Sequence, residues 1–182
     1  MVTVHLVRHA QTVANVTGVL QGTVNDERTA LTSLGQQACK QMRPLLAQKR
    51  LACCYISPLT RAQNTAAIIL PAAVPRIVDD RLQELDYGDW NGQPLTTLKT
   101  TFPTCWNLHD HDVAQGYEQL AHGESLHHLD HRLNAFLTEL QTTPFDGDVM
   151  VVTHGLVIQR WLTLLHQPSR PIDNLELITV TI

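Results

Sequence analysis

The sequence lacks the features that mark several classes of protein. No apolar run approaches the roughly 20 residues of a membrane span, and no secretory signal is evident at the N-terminus. The net charge of −4 argues against the basic stripe that nucleic-acid binders and polybasic membrane anchors usually carry. We therefore expect a cytoplasmic protein that binds neither nucleic acid nor membranes.

Cysteine and lysine are both scarce. The four cysteines occur without Cys-x-x-Cys or Cys/His ligand spacing, which predicts buried, reduced thiols. Only three of the 13 basic residues are lysines; the rest are arginines, whose two-pronged fork suits phosphate or carboxylate, although most single arginines are expected to be solvated. Hydrophobic residues at 43% and charged residues at 16% of 182 positions exclude a disordered chain and allow a core without disulfides.

The pattern of apolar residues predicts strands that alternate with helices. Strands are expected at 3–7, 53–57, 74–78, 147–153 and 175–181, and helices at 33–48, 61–70, 124–141 and 154–166. This alternation predicts an α/β fold, a three-layer sandwich whose mainly parallel central sheet has helices on both faces. Residues 1–182 would form a single domain, with a small cap at about 93–122, where the pattern is irregular.

Polar residues with chemical potential follow four of the predicted strands, and ligands of open parallel sheets gather at such strand ends. Two imidazoles and two or three guanidinium groups there would form a cationic pocket for a tetrahedral dianion. A neutral imidazole can attack phosphorus, and arginines can supply the charge that Mg²⁺ supplies elsewhere. The residues are Arg8 and His9; Ser57 and Arg61; Arg81 and Glu84; and His154 and Gly155.

The same pattern favours chemistry without a cofactor. Glu84 could donate the proton that a leaving alcohol needs. No Walker loop and no carboxylate cluster suited to Mg²⁺ is visible in the sequence. We therefore expect no metal site and no cofactor.

These residues lie in motifs that resemble those of the histidine phosphatase superfamily, the phosphoglycerate mutase-like family. The motifs occur in family order over nearly the whole chain, and the ordered set is far more specific than one Arg-His pair. They are Leu6-Val7-Arg8-His9-Ala10-Gln11-Thr12 with Asn15; Gln21-Gly22; Leu31-Thr32 with Leu34-Gly35; Ser57-Pro58-Leu59; Arg61-Ala62; Glu84 with Gly88, Trp90 and Gly92; Gly123-Glu124-Ser125; and Val152-Thr153-His154-Gly155.

The resemblance implies a role for each matched residue. His9 would be the nucleophile that becomes phosphohistidine, and Glu84 would be the proton donor. The substrate would be a small phosphomonoester and the product inorganic phosphate. The phosphate would be clamped by Arg8, Arg61 and His154 and lined by Asn15, Gln21, Gly22 and Gly155, the last of which lets the backbone approach closely, while Gly88, Trp90 and Gly92 would shape the loop that holds Glu84.

The sequence departs from the family pattern at three positions. Ala10 and Gln11 stand where Gly and Glu are more usual. Because Gln11 cannot give a proton, the role of acid falls on Glu84. Thr23 replaces the Trp that commonly follows the Gln-Gly pair, which would loosen or reshape the substrate rim.

A phosphatase and a mutase both begin with phosphohistidine and differ in whether water or a second substrate hydroxyl accepts the phosphoryl group. A bisphosphate-dependent mutase should offer extra cations in its cap, and the chain is shorter than is usual for such mutases. Residues 93–122 contain only Lys99 as a lysine or arginine, but offer Phe102, Trp106, Leu108 and Tyr117. The sequence therefore favours hydrolysis of a monophosphate whose other end is uncharged or apolar.

Two further interpretations stay open. The fold could serve as a non-catalytic phosphate-sensing module, although the complete catalytic set argues against this. His127 and His131 share a predicted helix face and could hold a transition metal, although a solvated face is the simpler interpretation. His109 and His111 are expected at the cap surface or substrate rim. The sequence indicates no oligomeric state.

Overall fold

The computed structural model describes residues 1–107 and 112–182. The strands are β1 (Thr3–Arg8), β2 (Leu51–Ile56), β3 (Arg76–Val78), β4 (Trp106–Asn107), β5 (Asp112–Val113), β6 (Asp148–Thr153) and β7 (Leu177–Thr181). The α-helices are α1 (Val13–Thr17), α2 (Ser33–Leu46), α3 (Thr60–Ile69), α4 (Leu95–Thr101), α5 (Glu118–Ala121), α6 (Leu126–Thr142) and α7 (Gly155–Leu164).

The central sheet has the strand order β3-β2-β6-β1-β7. β1, β2, β3 and β6 are parallel, and β7 pairs antiparallel with β1 at one edge. The predicted α/β fold with a mainly parallel sheet is therefore confirmed. Because α7 carries the chain back from the carboxyl edge of the sheet, residues 165–176 must return to that edge before β7 begins beside Val7.

The sheet separates two apolar cores. On one face, Leu6 of β1 and Val151 of β6 belong to a cluster that contains Phe136 of α6 and Trp161 of α7. On the other face, alternate residues of the same strands pack with α2 and α3, as Val7 and Val152 do with Cys39 and Ala66. Full burial of one such large side chain is worth about 1.5–3 kcal/mol, so each core holds its helices against the sheet. This arrangement is the predicted three-layer sandwich.

Local chemistry explains where the elements begin. The Thr32 hydroxyl caps α2 by accepting a hydrogen bond from the Gly35 N–H at 2.9 Å. The strand predicted at 74–78 begins only at Arg76, because Pro75 has no N–H for the ladder. The helix predicted at 124–141 begins at Leu126 because the Ser125 hydroxyl caps it. α1 was not predicted, since five residues are too few to show a helical period.

The segment predicted as a cap, residues 93–122, contains α4, β4, β5 and α5 in its described part. Two aromatic side chains of this segment stack on Trp90, which precedes it: the Trp90 ring lies 4.9 Å from Phe102 and 5.9 Å from Trp106 between ring centroids. Leu108, His109 and His111 lie outside the described residues. The assignment of this segment as a cap stays a prediction.

The predicted state of the cysteines is confirmed. All four thiols are free and buried. Burial raises the pKa of the Cys39 thiol to about 11. In the described part of the chain, no helix has the length and apolar character needed to cross a membrane.

Candidate active site

A cavity of about 210 Å³ opens at the carboxyl edge of the sheet. Eight of the nine predicted site residues line it, and the ring of the ninth, His154, lies 5.3 Å from the His9 ring between centroids. α7 also begins at this edge, and the free N–H groups at a helix N-terminus favour an anion. The eight are Arg8, His9, Asn15, Gln21, Gly22, Arg61, Glu84 and Gly155.

The imidazole of His9 has the tautomer that a nucleophile needs. Its Nδ1 lies 2.8 Å from the Ala10 carbonyl oxygen. Because a carbonyl oxygen only accepts, Nδ1 carries the hydrogen and Nε2 keeps its lone pair. Burial holds the pKa of His9 well below 6.5, and the charges of Arg61 and Arg8 lower it further. The ring is therefore neutral at physiological pH and able to attack phosphorus.

Arg61 is buried and fixed by the loop that follows Gln21. Its guanidinium donates to the Gly22 carbonyl at 2.7 Å and the Val24 carbonyl at 3.0 Å, while its Nε has no partner among the described residues. Burial lowers the pKa of Arg61 only to about 10, so the group stays charged. Gly22 has φ +47°, and a Cβ there would lie 1.8 Å from Asn91 Oδ1. A side chain at this position would therefore displace the Gly22 carbonyl that holds Arg61.

Arg8 is held by the segment that returns to β7. It donates to the Ile172 carbonyl at 2.6 Å, and its buried Nε has no partner within residues 1–107 and 112–182. Asn174 Nδ2 donates to the His9 carbonyl at 2.9 Å. Sequence reasoning missed Ile172 and Asn174, because their place depends on the antiparallel return of a distant segment.

His154 is paired with Ser57 at the end of β2. Their Nε2 and Oγ atoms are 2.7 Å apart, and the Ser57 oxygen also accepts from the Leu59 N–H at 3.3 Å. When the Ser57 hydroxyl donates to His154 Nε2, the neutral ring carries its hydrogen on Nδ1. That buried Nδ1 has no partner in the described residues, and burial holds the pKa of His154 well below 6.5. A neutral ring with this tautomer can donate to a phosphate oxygen.

We expect Ser57→Ala to lower kcat/KM for the phosphomonoester hydrolysis expected from the sequence by about tenfold or more. The reason is that loss of an oriented buried hydrogen bond costs on the order of 1–3 kcal/mol. The fold should persist, as judged by the thermal midpoint. Inhibition by inorganic phosphate should weaken in parallel, since His154 would lose its fixed tautomer. The exposed Ser33→Ala is the matched control. Unchanged kcat/KM and phosphate inhibition in Ser57→Ala would remove Ser57 from this positioning role.

Two carboxamides complete the set of donors. Asn15 Oδ1 accepts from the Thr12 N–H at 3.0 Å and from Asn174 at 3.3 Å, and Gln21 Oε1 accepts from the Thr12 hydroxyl at 2.9 Å. Each amide oxygen is occupied, so each NH₂ is the group left to bind an anion. Thr12, fully buried beneath both side chains, orients them, which the sequence motif alone did not reveal.

Glu84 brings a carboxyl group to the same cavity. Its Oε1 accepts from the Leu85 N–H at 3.0 Å. Burial raises the pKa of Glu84, while Arg61, Arg8 and Arg132 oppose that rise. Its loop is tightly seated: a Cβ on Gly88, at φ +58°, would lie 2.1 Å from the Ala121 carbonyl oxygen. The raised pKa suits a group that must carry a proton before it can donate one.

Asp112 also lines the cavity and was not among the predicted site residues. Its Oδ1 accepts from the Tyr87 hydroxyl at 2.9 Å and from the Val113 N–H at 2.7 Å. Burial, and then the nearby Glu84 carboxylate, raise the pKa of Asp112 to about 7. The two-residue strand that carries it has no apolar period, so no sequence signal pointed to this position.

Some predicted features lie outside the cavity wall. Arg81, counted as a possible third arginine, pairs with Asp79 and, at 2.7 Å, with Glu139, so only two arginines line the cavity in the described chain. The hydroxyl of Thr23, a residue expected at the substrate rim, accepts a hydrogen bond from Asn91 Nδ2 at 3.2 Å. The Gln11 side chain accepts from the Thr32 hydroxyl at 2.8 Å and so fastens the segment after β1 to the N-terminal end of α2.

Gly155 lines the cavity, whereas the histidines at 127 and 131 lie on the exposed face of α6. A Cβ on Gly155 would lie 3.4 Å from Arg8 Nε, an ordinary contact, so the protein itself leaves room for a side chain there. His127 and His131 are exposed on α6, and His128 pairs with Glu124 at 2.9 Å. Within the residues described, no three His, Cys, Asp or Glu side chains are grouped closely enough to hold a metal ion.

Comparison with known proteins adds an independent finding. The model of the histidine phosphatase superfamily (branch 1) matches residues 4–181. Phosphoserine phosphatase 1 of Hydrogenobacter thermophilus is 30% identical over 158 residues, which cover 85% of this chain and 71% of that protein. A Yersinia enterocolitica protein named "Probable phosphoglycerate mutase GpmB" is 30% identical over 179 residues, which cover 97% of this chain and 81% of that protein.

Solved structures share the fold. The mycobacterial glucosyl-3-phosphoglycerate phosphatase superposes with a TM-score of 0.83 at 23% identity, over 100% of this chain and 93% of that one. The alpha-ribazole phosphatase from Shigella flexneri gives a TM-score of 0.78 at 23% identity, over 99% of this chain and 91% of that one. At these identities the likeness concerns the fold.

Proposed function

We infer that this chain, which belongs to the histidine phosphatase superfamily (branch 1), hydrolyses small phosphomonoesters in the cytoplasm through a phosphohistidine at His9, without a metal. One observation carries the proposal. A neutral His9, with its Nε2 lone pair free, shares one cavity of about 210 Å³ with the charged Arg8 and Arg61. The family's named phosphatases support the hydrolytic reaction.

The first step transfers the phosphoryl group to the enzyme. His9 Nε2 forms a bond to phosphorus as the bond between phosphorus and the ester oxygen breaks. The Glu84 carboxyl gives its proton to that oxygen, and the alcohol leaves. The positive ring that results keeps its Nδ1–H on the Ala10 carbonyl. Arg8, Arg61 and the His154 Nδ1–H neutralise the phosphoryl oxygens throughout.

The second step returns the enzyme to its starting state. The Glu84 carboxylate takes a proton from water, and the water oxygen forms a bond to phosphorus. The bond between phosphorus and Nε2 breaks, which releases inorganic phosphate and neutral His9. Glu84 therefore acts as acid in one step and base in the other, and a pKa raised by burial suits both.

The charges on the cavity wall favour water over a phosphorylated second substrate as the acceptor of the phosphoryl group. In the described chain, the lysine and arginine residues that line the cavity are Arg8 and Arg61, both assigned to the first phosphate. Lys99 instead lies 5.4 Å from the Trp106 ring centroid and is not part of the wall. Asp112 adds a carboxyl group to the same wall, which disfavours a second phosphate there.

The direct test is phosphate release from p-nitrophenyl phosphate and alkyl phosphates, with and without a metal chelator. We expect turnover to survive the chelator, because the arginines supply the positive charge. We also expect the phosphoenzyme to decay as fast in plain water as with added 3-phosphoglycerate. Loss of activity with chelator, or decay that needs the phosphoglycerate, would overturn metal-free hydrolysis.

Glu84→Gln should lower kcat/KM for alkyl phosphates by about 10²–10⁴-fold, because alkoxides leave poorly without a proton. Nitrophenolate leaves without one, so p-nitrophenyl phosphate should lose far less. In the wild-type enzyme, kcat/KM for alkyl esters should fall as pH rises through the raised pKa of Glu84. This alkaline limb should vanish in Glu84→Gln. Equal losses for both ester classes, or a rate still rising above about pH 9, would contradict the assignment.

A further inference from the structure

Three polar side chains on the cavity wall have no part in the phosphate chemistry. Asp112 comes from β5, Trp106 from β4 and Gln159 from α7. The hydrogen bonds of the Asp112 carboxylate within the described chain all go to Oδ1, from Tyr87 and Val113. Oδ2 therefore has no partner there, and in the ionised carboxyl it is an acceptor left over for another group.

Gln159 is the second and independent sign of a ligand. It is only 6% exposed, yet its Oε1 is buried with no hydrogen-bond partner in the described residues. A buried amide is rarely left unmatched unless a ligand or water completes it. Trp106 Nε1 is likewise buried without a partner among residues 1–107 and 112–182, and adds a donor to the two acceptors.

We propose that Asp112, Gln159 and Trp106 form a leaving-group subsite for alcohols that carry further hydroxyl or ammonium groups. The two oxygens accept hydrogen bonds from O–H or N–H groups of the alcohol, and the indole N–H donates to one of its oxygens. This inference rests on the proposed hydrolysis and names its substrate class. It narrows the expectation of an uncharged or apolar leaving group, since a purely apolar alcohol would leave all three polar groups unmatched.

Charge complementarity supports the same occupant. The Asp112 carboxyl lies close enough to Glu84 for their repulsion to matter, so an ammonium or hydroxyl donor between them is favourable, whereas a second phosphate is not. The volume of about 210 Å³ suits a small polar ester. Lys99 does not line this wall, so the subsite selects donors over anions.

Three esters of similar size test the subsite. Glycerol 3-phosphate carries two hydroxyls, O-phosphoethanolamine carries an ammonium, and propyl phosphate carries neither. We expect the wild-type enzyme to show kcat/KM about tenfold or more higher for one or both polar esters than for propyl phosphate. The polar ester that is preferred identifies the donor as hydroxyl or ammonium.

Substitutions test which residues cause the preference for polar esters over propyl phosphate. Asp112→Asn turns the free acceptor into a donor at constant size, and Gln159→Leu removes the amide. Each should cut the ratio of kcat/KM for the preferred polar ester over propyl phosphate by about tenfold. The exposed Asp146→Asn and Gln141→Leu are matched controls that should keep the wild-type ratio.

The outcomes separate this subsite from the proposed function. If p-nitrophenyl phosphate is hydrolysed but the wild-type enzyme prefers propyl phosphate, the subsite is wrong and hydrolysis stands. A ratio that Asp112→Asn and Gln159→Leu both leave unchanged would also refute it. If no ester is hydrolysed at all, the proposed function itself fails. The wild-type ratio decides the matter even if a variant does not fold.

Discussion

Replacing His9 with alanine is expected to lower kcat for every phosphomonoester by about 10⁴-fold or more, the loss that follows removal of a covalent nucleophile. The reason is that, among the described residues, no other side chain at the site combines a free lone pair with this position. His154 Nε2 is engaged by Ser57 at 2.7 Å. Neither His154 nor Ser57 can therefore replace the Nε2 of His9 as the attacking atom.

The substitution needs a control for folding, because His9 is only 2% exposed. The thermal midpoint and the circular dichroism spectrum of His9→Ala should stay close to those of the wild-type enzyme. His131→Ala, on the exposed face of α6, is the matched control and should retain full activity. Turnover in a well-folded His9→Ala at more than a few per cent of the wild-type rate would take the nucleophile's role away from His9.

Arg61→Met is expected to lower kcat/KM by about 10³-fold or more, comparable with the removal of an arginine that stabilises a phosphoryl transition state. Met keeps most of the buried volume but removes the guanidinium fork that would bind the phosphate. In the wild-type protein this fork is held in place by the Gly22 and Val24 carbonyls. A second readout follows from charge. Arg61 lowers the pKa of His9, so without it that pKa rises and the acid limb of the pH profile moves to higher pH.

Arg61→Lys separates charge from geometry. Lysine keeps a positive charge near His9, so the acid limb should stay close to its wild-type position. The planar fork is lost, however, and kcat/KM should still fall by about tenfold or more. If Arg61→Met kept both the rate and the pH profile of the wild-type enzyme, the phosphate would have to bind elsewhere in the molecule.

Much of the fold and site was accessible from sequence because local rules govern it. Alternating apolar strands and helices with clear caps, such as Thr32 before α2, fix the parallel sheet. A parallel sheet then brings its strand ends to one edge, which places His9, Ser57 and His154 together. The ordered motifs added residues whose use no period reveals, such as Asn15 and Gln21.

The parts that escaped prediction depend on long-range packing. Asn174 reaches His9 only because β7 runs antiparallel, and strand direction is not encoded in an apolar pattern. Arg81 follows a strand end as predicted, yet Asp79 and Glu139 draw it away from the cavity. A side chain's strand-end position thus limits where it can go without deciding which partner it takes.

Long-range packing also decides where the apolar side chains of the predicted cap lie. Of the aromatic residues named from sequence in its described part, Trp106 lines the cavity. Phe102 stacks on Trp90, and the Tyr117 hydroxyl donates to the Glu124 carbonyl at 2.6 Å. The composition predicted these rings at the substrate surface, whereas two of them fasten the segment to residues that flank it in the chain.

The most direct test of the central claim is to trap the phosphoenzyme and map it. Glu84→Gln should slow attack by water while p-nitrophenyl phosphate still transfers its phosphoryl group, so a burst of one nitrophenolate per active site should precede slow turnover. After an alkaline quench, tandem mass spectrometry should place an acid-labile phosphoryl group on His9 alone. A phosphoryl group on another residue, or nitrophenolate release without a burst and without labelled His9, would contradict the account.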